Sequence, residues 1–389
     1  MTETPYLAEK AIAALERAVI KGSLRLTAPD GRVYEFEGKE PGPHGDIVIH
    51  DWRTISAALA EGDIGLGNAY MAGWWDSPDL EPLLTVLMMN MDGLGRLAWG
   101  SFLHRIRTVF REWVSKRNSI GGSKRNIMAH YDLGNDFYAR WLDPTMTYSS
   151  AIFATPETDL ESAQRAKYAR ILERLGPKRS DILEIGCGWG GFMAAAVNQD
   201  RRVTALTISP SQHAYASARL GNAANVRLQD YRNADGRFPA IVSIEMFEAV
   251  GERYWPTYFR TLRDRLTRDG AAVVQTISIS EKLFPTYRTS SDYIRHHIFP
   301  GGMLPTLSRF KAESERAGLA VRDVYSFGQD YARTCREWLV RFDAAAPDIR
   351  AMGYEDGFMR GWRLYLALCA GAFALGRTDV HQIELAPAN

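Results

Sequence analysis

The sequence predicts an α/β protein: a parallel sheet covered by helices on both faces, joined to a smaller α+β N-terminal domain. Three observations carry this. From about Ala163 onward, short apolar runs alternate with helical stretches, the pattern of a parallel sheet covered by helices. One of those runs passes through a glycine-rich turn straight into a helix, at Ile185–Gly191. The first third shows no such alternation and has its own hairpin signal. A chain of 389 residues with 46% hydrophobic content can bury one large core or two modest ones. Two domains are expected, residues 1–120 and 121–389.

Taken in order, Tyr6–Ile20 places Leu7, Ile12, Leu15 and Val19 at helical spacing. Leu24–Leu26 and Val33–Phe36 alternate around Pro29-Asp30-Gly31, which predicts a hairpin. Helices follow over Trp52–Glu61 and Leu80–Met91. Leu94–Val114 is rich in aromatic and apolar residues interleaved with Arg105, Arg107 and Arg111. Two readings stay open for it: a helix with a solvated basic face, or a patch that meets anionic headgroups. Gly121-Gly122-Ser123 reads as a hinge. The second domain opens with a helix running to Leu175. Strands are expected at Ile182–Ile185, Val203–Ile208, Ala240–Glu245 and Ala271–Ser278. Helices are expected at Phe192–Val197, Ser211–Leu220 and Trp255–Leu266, and Asp379–Leu385 reads as a final edge strand.

Composition narrows the function classes. A formal net charge of +1 supplies no global field to recruit nucleic acid. Three cysteines, Cys187, Cys335 and Cys369, form no CxxC pair, which argues against a disulfide framework or structural zinc and fits a reducing cytoplasm. The first ten residues contain Glu3 and Glu9 and read as no signal peptide. No apolar run approaches the roughly 18–20 residues that span a bilayer, so any contact with lipid is expected from outside. His296-His297 invites a metal reading. Neighbouring histidines point different ways and no third ligand lies close in sequence, so no metal is expected.

The glycine loop Leu183-Glu184-Ile185-Gly186-Cys187-Gly188-Trp189-Gly190-Gly191 lets the backbone turn sharply and approach a ligand, with polarised N–H groups at the helix start. By itself such a loop also suits a dinucleotide. Glu184 before the first glycine points instead to S-adenosylmethionine. So does the second strand, which ends in Leu206-Thr207-Ile208-Ser209 without the acidic residue that a nicotinamide ribose requires. Asp230, in Gln229-Asp230-Tyr231-Arg232, falls where an adenine ring would lie.

Further motifs follow in a fixed order. They are His130-Tyr131-Asp132-Leu133-Gly134-Asn135-Asp136-Phe137-Tyr138, then Met146-Thr147-Tyr148-Ser149-Ser150-Ala151, then Ser243-Ile244-Glu245-Met246-Phe247-Glu248-Ala249-Val250-Gly251. Phe299–Pro305 and Tyr331-Ala332-Arg333-Thr334 come later. Together these resemble the cyclopropane-fatty-acid synthase family, which includes the mycolic acid methyltransferases, over roughly Asn126 to Leu385. Ala69-Tyr70-Met71-Ala72-Gly73-Trp74-Trp75 resembles the N-terminal domain of the phospholipid-acting members.

The resemblance implies a Rossmann-like class I methyltransferase domain acting on unsaturated phospholipid acyl chains at the inner face of the membrane. A homodimer is also what the family suggests. It implies that Tyr148, Ser149, Glu184, Gly186, Cys187, Gly188, Gly190, Thr207, Ile208 and Gln212 hold S-adenosylmethionine, with Asp230 and Tyr231 near the adenine. Glu248 and Tyr331 match residues that help hold a bicarbonate ion. Cys369 matches a cysteine associated with the active site, although a small residue within a helix is more often core. Two departures adjoin the bicarbonate pocket: a familiar cysteine is Ser150 here, and a familiar histidine is Gln275. The familiar Glu-His pair is Glu248-Ala249.

An isolated alkene is a weak nucleophile, so a sulfonium methyl must be held close and in line. Transfer leaves a carbocation that aromatic faces can stabilise. Tyr148, Phe247, Tyr254, Tyr287, Tyr293 and Tyr331 are candidates, about half of them expected to be core. A base then removes a proton. Taken from the new methyl, it closes a cyclopropane; taken from a neighbouring carbon, it leaves a methyl-branched alkene. Residues 281–305 read as a lid over an acyl tunnel, or as a structural insertion. Two other functions stay open: methylation of nitrogen or oxygen in a small soluble molecule, and an idle lipid-binding protein that has lost the histidine and cysteine.

Overall fold

The computed structural model describes residues 5–95 and 133–388. The basic stretch with Arg105, Arg107 and Arg111, the hinge Gly121–Ser123 and the motif start His130–Asp132 lie outside them. The chain forms two compact units. One comprises the described residues of Met1–Ser115 together with Thr289–Ile298 and Trp338–Leu375. The other comprises those of Lys116–Arg288 with Phe299–Glu337 and Gly376–Asn389.

In the first unit the helix Tyr6–Ala18 precedes a four-stranded sheet of β1 (Lys21–Thr27), β2 (Val33–Glu37), β3 (Glu40–Ile49) and β4 (Trp75–Asp76), in the order β2-β1-β3-β4. The expected hairpin is there, with β1 and β2 antiparallel. Strand β3 is not among the expected elements, and Pro41, Gly42, Pro43 and Gly45 break up its sequence. It nevertheless runs parallel to β1. The glycines are what allow it, since a Cβ on Gly42 would stand 2.7 Å from the backbone nitrogen of Gly22. Helices Arg53–Glu61, Asp63–Met71 and Leu80–Met89 follow. Asp79 caps the last of these, its carboxylate accepting from Glu81 N–H.

Tyr70 and Trp75 fill this unit's interior, with Trp75 Nε1 donating to Leu66 O at 2.9 Å. The helix Asp356–Ala374 supplies Arg360, which donates to Trp75 O and pairs with Asp76. Tyr293 is also core here. Its hydroxyl donates to Gly361 O at 3.1 Å, and its amide donates to Asp63 at 3.1 Å. His297 is hydrogen-bonded to Asn68 at 2.8 Å. Among the described residues, no helix is long and apolar enough to cross a membrane, and no three His, Cys, Asp or Glu side chains cluster as metal ligands.

The second unit is built on seven strands: β5 (Asp181–Ile185), β6 (Arg202–Thr207), β7 (Asn225–Leu228), β8 (Phe238–Ile244), β9 (Leu266–Ile279), β10 (Leu319–Ser326) and β11 (Thr378–Pro387). Their order is β10-β11-β9-β8-β5-β6-β7. The five strands from β9 to β7 are parallel. They include the parallel strands the alternation predicts, and the sheet as a whole is mixed, because β11 runs antiparallel to both β9 and β10. The expected edge strand Asp379–Leu385 is corrected: β11 is internal, and the edge belongs to β10. Although polar side chains are usual on an edge, His381 and Gln382 of β11 are buried. Both have partners, the two His381 ring nitrogens each standing 2.7 Å from a serine hydroxyl, Ser278 or Ser326.

Apolar clusters on the two faces of the sheet hold the helices. Leu160–Leu175 and Gly191–Val197 pack with Ile182, Val203 and Val242. Trp255–Arg265 and Leu307–Arg316 pack with Leu183, Ile241, Val274 and Ile383. Burying these branched side chains stabilises the unit by about 1.5–3 kcal/mol each. The carboxyl ends of β5, β6, β8 and β9 then present Gly186, Thr207, Glu245 and Gln275 in one region, the usual ligand position in an open α/β sheet.

Candidate active site

The glycine loop leaves β5 with Gly186, Gly188 and Gly190 at φ of 85°, 51° and 84°, a region that L side chains rarely adopt. A Cβ on Gly188 would meet nothing within 4 Å, so a ligand can approach the backbone there. Cys187 faces inward, and burial pushes its thiol pKa up. Glu184 is buried with Oε2 unpartnered, and burial raises its pKa well above the carboxylate range. At the end of β6, Thr207 Oγ1 donates to Gln212 Oε1 at 3.1 Å and accepts from Ser209 N–H. Ser209 caps the helix Pro210–Leu220, and Ile208 links strand to cap. An orphaned carboxylate, an open glycine turn and a polar strand end suit the polar portions of S-adenosylmethionine, which when bound supplies an electrophilic methyl group.

After β7, Asp230 is held by Arg232 at 2.7 Å, and Tyr231 packs edge-on to Tyr258. Burial raises the Tyr231 pKa to about 12. Tyr148 lies against Tyr138 and Trp141, with Phe299 stacked over it. Trp189 of the glycine loop bonds Asn135 at 2.8 Å, which ties the Asn135–Tyr138 motif to the loop.

A second cluster lies at the ends of β8 and β9. Glu245 ends the apolar run of β8 with φ at 48°, one of three non-glycine residues with positive φ among those described. Such a conformation costs of order 1–3 kcal/mol and persists only where surroundings impose it. Its amide donates to Gln275 O at 2.8 Å, which extends the pairing of β8 with β9. Its carboxylate collects three donors. Oε1 accepts from Ser150 N–H at 2.9 Å and from Gln275 Nε2 at 2.8 Å, and Oε2 accepts from the Tyr331 hydroxyl at 2.5 Å.

Glu248 sits one short turn later. Its Oε1 accepts from Ile277 N–H at 2.5 Å and Thr276 Oγ1 at 3.0 Å, and its Oε2 is buried without a partner. Burial, with the nearby Glu245, raises the Glu248 pKa to about 8. Lys167 approaches from the helix Leu160–Leu175 and donates to Ser149 Oγ at 2.6 Å. Burial lowers its pKa, and the charge of Glu245 opposes that shift. Burial likewise raises the Glu245 pKa, against the pull of Lys167 and the three donors.

Ser150, Glu248, Gln275 and Tyr331 therefore meet in one place, beside Ser149. Ser150 contributes its backbone, while its hydroxyl turns back to Ala151 O. Cys369 lies half-buried on the helix Asp356–Ala374, which belongs to the first unit. Of the aromatic candidates, Phe247 is core, enclosed by Trp255, Tyr258, Phe259 and Phe310, and Tyr293 is core of the first unit. Sequence reasoning missed Glu245 and Lys167 as site residues. A carboxylate closing an apolar strand at the ligand-bearing end of a sheet was the available signal for Glu245. Lys167 gave none, because a lysine on a helix usually faces solvent.

The bicarbonate expected from the resemblance does not fit. Of the two residues that the resemblance gives to the ion, the Tyr331 hydroxyl is engaged by Glu245, and Glu248 offers a carboxyl group. The Ser150 N–H and Gln275 Nε2 that adjoin the pocket are engaged by Glu245 as well. A free anion there would also stand against two carboxyl groups.

Comparison with known proteins agrees with this geometry. The sequence model of the family described as mycolic acid cyclopropane synthetase matches residues 119–383. The chain is 38% identical to the tuberculostearic acid methyltransferase UfaA1 of Mycobacterium tuberculosis, over 95% of this chain and 89% of that protein. It is 37% identical to the cyclopropane-fatty-acyl-phospholipid synthase of Escherichia coli strain K12, over 87% of each. Among solved structures, the cyclopropane synthase MmaA2 of Mycobacterium tuberculosis is 31% identical with a TM-score of 0.63, covering 68% of this chain and 98% of its own. The mycolic acid cyclopropane synthase CmaA1, solved with SAH and CTAB, has the same identity and TM-score over 67% and 97%. The glycine loop, the mixed seven-stranded sheet and these matches agree: the chain belongs to the mycolic acid cyclopropane synthetase family and is an S-adenosylmethionine-dependent methyltransferase of class I fold.

Proposed function

We propose that this enzyme transfers a one-carbon unit from S-adenosylmethionine to the cis double bond of an unsaturated fatty acyl chain in a membrane phospholipid, forming a cyclopropane fatty acid. One observation carries the reading: a half-buried, hydrogen-bonded carboxylate cluster at the carboxyl end of the sheet, beside the cofactor loop. Methylation of a nitrogen or oxygen lone pair places no carbocation in the site and needs no buried base set apart from solvent. Addition to an alkene does, because the cation must lose a proton before water reaches it. Low water access strengthens each electrostatic contact in such a site.

A methyl-branched acyl chain is the second reading. It is favoured by the relative that matches 95% of this chain, a tuberculostearic acid methyltransferase. Both readings share the cation and differ in which carbon loses the proton. The enzyme is read as cytoplasmic and peripherally attached to the anionic inner face of the membrane. That reading rests on the seven Lys and Arg against one Glu between His104 and Arg125, and a homodimer remains the family's suggestion.

The test is incubation with S-adenosylmethionine and cis-unsaturated phospholipid vesicles, followed by mass spectrometry of the fatty acid esters. A gain of one CH2 with the ring signature in proton NMR is expected. A gain without that signature selects the branched product. No gain with any acyl donor, but turnover of a water-soluble acceptor, rejects the proposal.

A further inference from the structure

Glu245 is placed as few structural carboxylates are. It sits at a strained backbone position, at the carboxyl end of the sheet where the ligand region lies, and its oxygens are bonded to groups from three separate segments. Those segments are the loop after Tyr148, strand β9 and the helix Gly328–Ala344. A carboxylate and bicarbonate are both planar anions with two oxygens available for the same donors. The donor set that would hold the free ion is closed here around a carboxylate that the chain itself supplies.

We infer that Glu245 is the base of the reaction, a tethered carboxylate in the place where relatives of this chain are expected to hold a bicarbonate ion. The inference rests on the acyl-transfer reading above. A carboxylate offers about four acceptor positions. Three are used, two on Oε1 and one on Oε2, so Oε2 keeps a lone pair for a proton. In the step, a C–H bond of the new methyl, or of the chain carbon next to the cation, breaks. Its electron pair forms the third ring bond or the new double bond, and its proton goes to Glu245 Oε2. The carboxylic acid so formed releases that proton to solvent, and the acyl chain has gained CH2 overall.

Gln275 acts through Glu245 and is a positioning residue. Its amide oxygen accepts from Gln382 Nε2 at 3.1 Å, which turns the amide N–H groups toward the carboxylate. Gln382 Oε1 in turn accepts from Arg170 at 2.8 Å. A chain of donors from Arg170 to Gln275 thus fixes which face of the amide Glu245 meets.

The experiment compares the wild-type enzyme, Glu245→Gln and Glu245→Gly in buffers depleted of bicarbonate and in buffers supplemented with it. Wild-type kcat is expected to be unchanged by bicarbonate. Both variants should lose about 100-fold or more, the usual worth of a positioned base. The glycine variant alone should recover part of the loss when bicarbonate is added, because only it opens the cradle. Binding of 13C-labelled bicarbonate, followed by NMR, reads the same question without turnover: none for wild type, saturable for Glu245→Gly. Saturable wild-type binding, wild-type activity that falls on depletion, or full activity of Glu245→Gln overturns the inference. Binding of S-adenosylhomocysteine and the thermal unfolding of each variant control for folding. If wild type modifies no acyl chain, the substrate reading has failed, and the labelled-bicarbonate arm still decides whether Glu245 occupies the anion's place.

Discussion

Glu245 and Gln275 are bonded twice, once through the backbone and once through the side chains. The Glu245 amide donates to Gln275 O at 2.8 Å, and Gln275 Nε2 donates back to Glu245 Oε1 at 2.8 Å. The register of β8 against β9 therefore also sets the aim of the carboxylate. Gln275→Leu should keep the register and lose the side-chain bond. A fall of about 10- to 100-fold in kcat is expected, from loss of a charge-assisted bond worth roughly 1.5–3 kcal/mol. The cofactor KM should stay unchanged, which steady-state kinetics checks.

Tyr331 holds the other carboxylate oxygen. Tyr331→Phe removes the 2.5 Å bond and leaves a half-buried carboxylate one donor short. A stability loss of about 1–3 kcal/mol is expected in urea denaturation, together with a lower kcat. Unchanged stability and unchanged kcat together contradict the arrangement.

Glu248 should make stability depend on pH. Its folded pKa is raised to about 8, well above the usual value for an unfolded chain. Between pH 4.5 and 8, as roughly bounded by these two values, the unfolded chain gives up the proton and the folded chain keeps it. Stability therefore falls as pH rises through that window and levels off above it. Glu248→Gln, which mimics the protonated form, should flatten the curve of urea midpoint against pH.

Gly67 tests the packing of the first unit. A Cβ there would stand 2.2 Å from Cδ2 of Tyr293. Gly67→Ala should cost about 1–3 kcal/mol through forced displacement of the ring, although alanine favours the helix that carries it. A stabilised variant in thermal unfolding would show that the contact is not tight.

Arg105, Arg107 and Arg111 test membrane attachment. Reversing their charge to Glu should weaken pelleting with anionic vesicles at low salt, with the difference shrinking as salt rises. Unchanged pelleting rejects the patch.

The second unit was largely legible in the sequence, because branched apolar runs such as Ile182–Ile185 and Val203–Ile208 leave few alternatives to buried strands. Strands β3 and β10 were not. In β3, prolines and glycines mask a strand that close backbone approach makes feasible; in β10, charges such as Arg322 and Asp323 break the apolar run. The site divided differently. Ser150, Glu248, Gln275 and Tyr331 were named through the family resemblance, whereas Glu245 stood in a motif and at the end of a strand with no role given to it. Its role depends on donors brought from positions 150, 275 and 331, and no local pattern records that convergence.

The place of β11 has a consequence for how the protein is made. During synthesis β9 leaves the ribosome long before Thr378–Pro387, so its β11-facing edge waits unpaired, with Val273 and Val274 needing cover. Gln382 arrives with that late strand, and only then is the Gln275 amide turned toward Glu245. A nascent chain can thus complete its glycine loop well before it has an aligned base, and the arrival of β11 closes the sheet and readies the catalytic carboxylate in a single event.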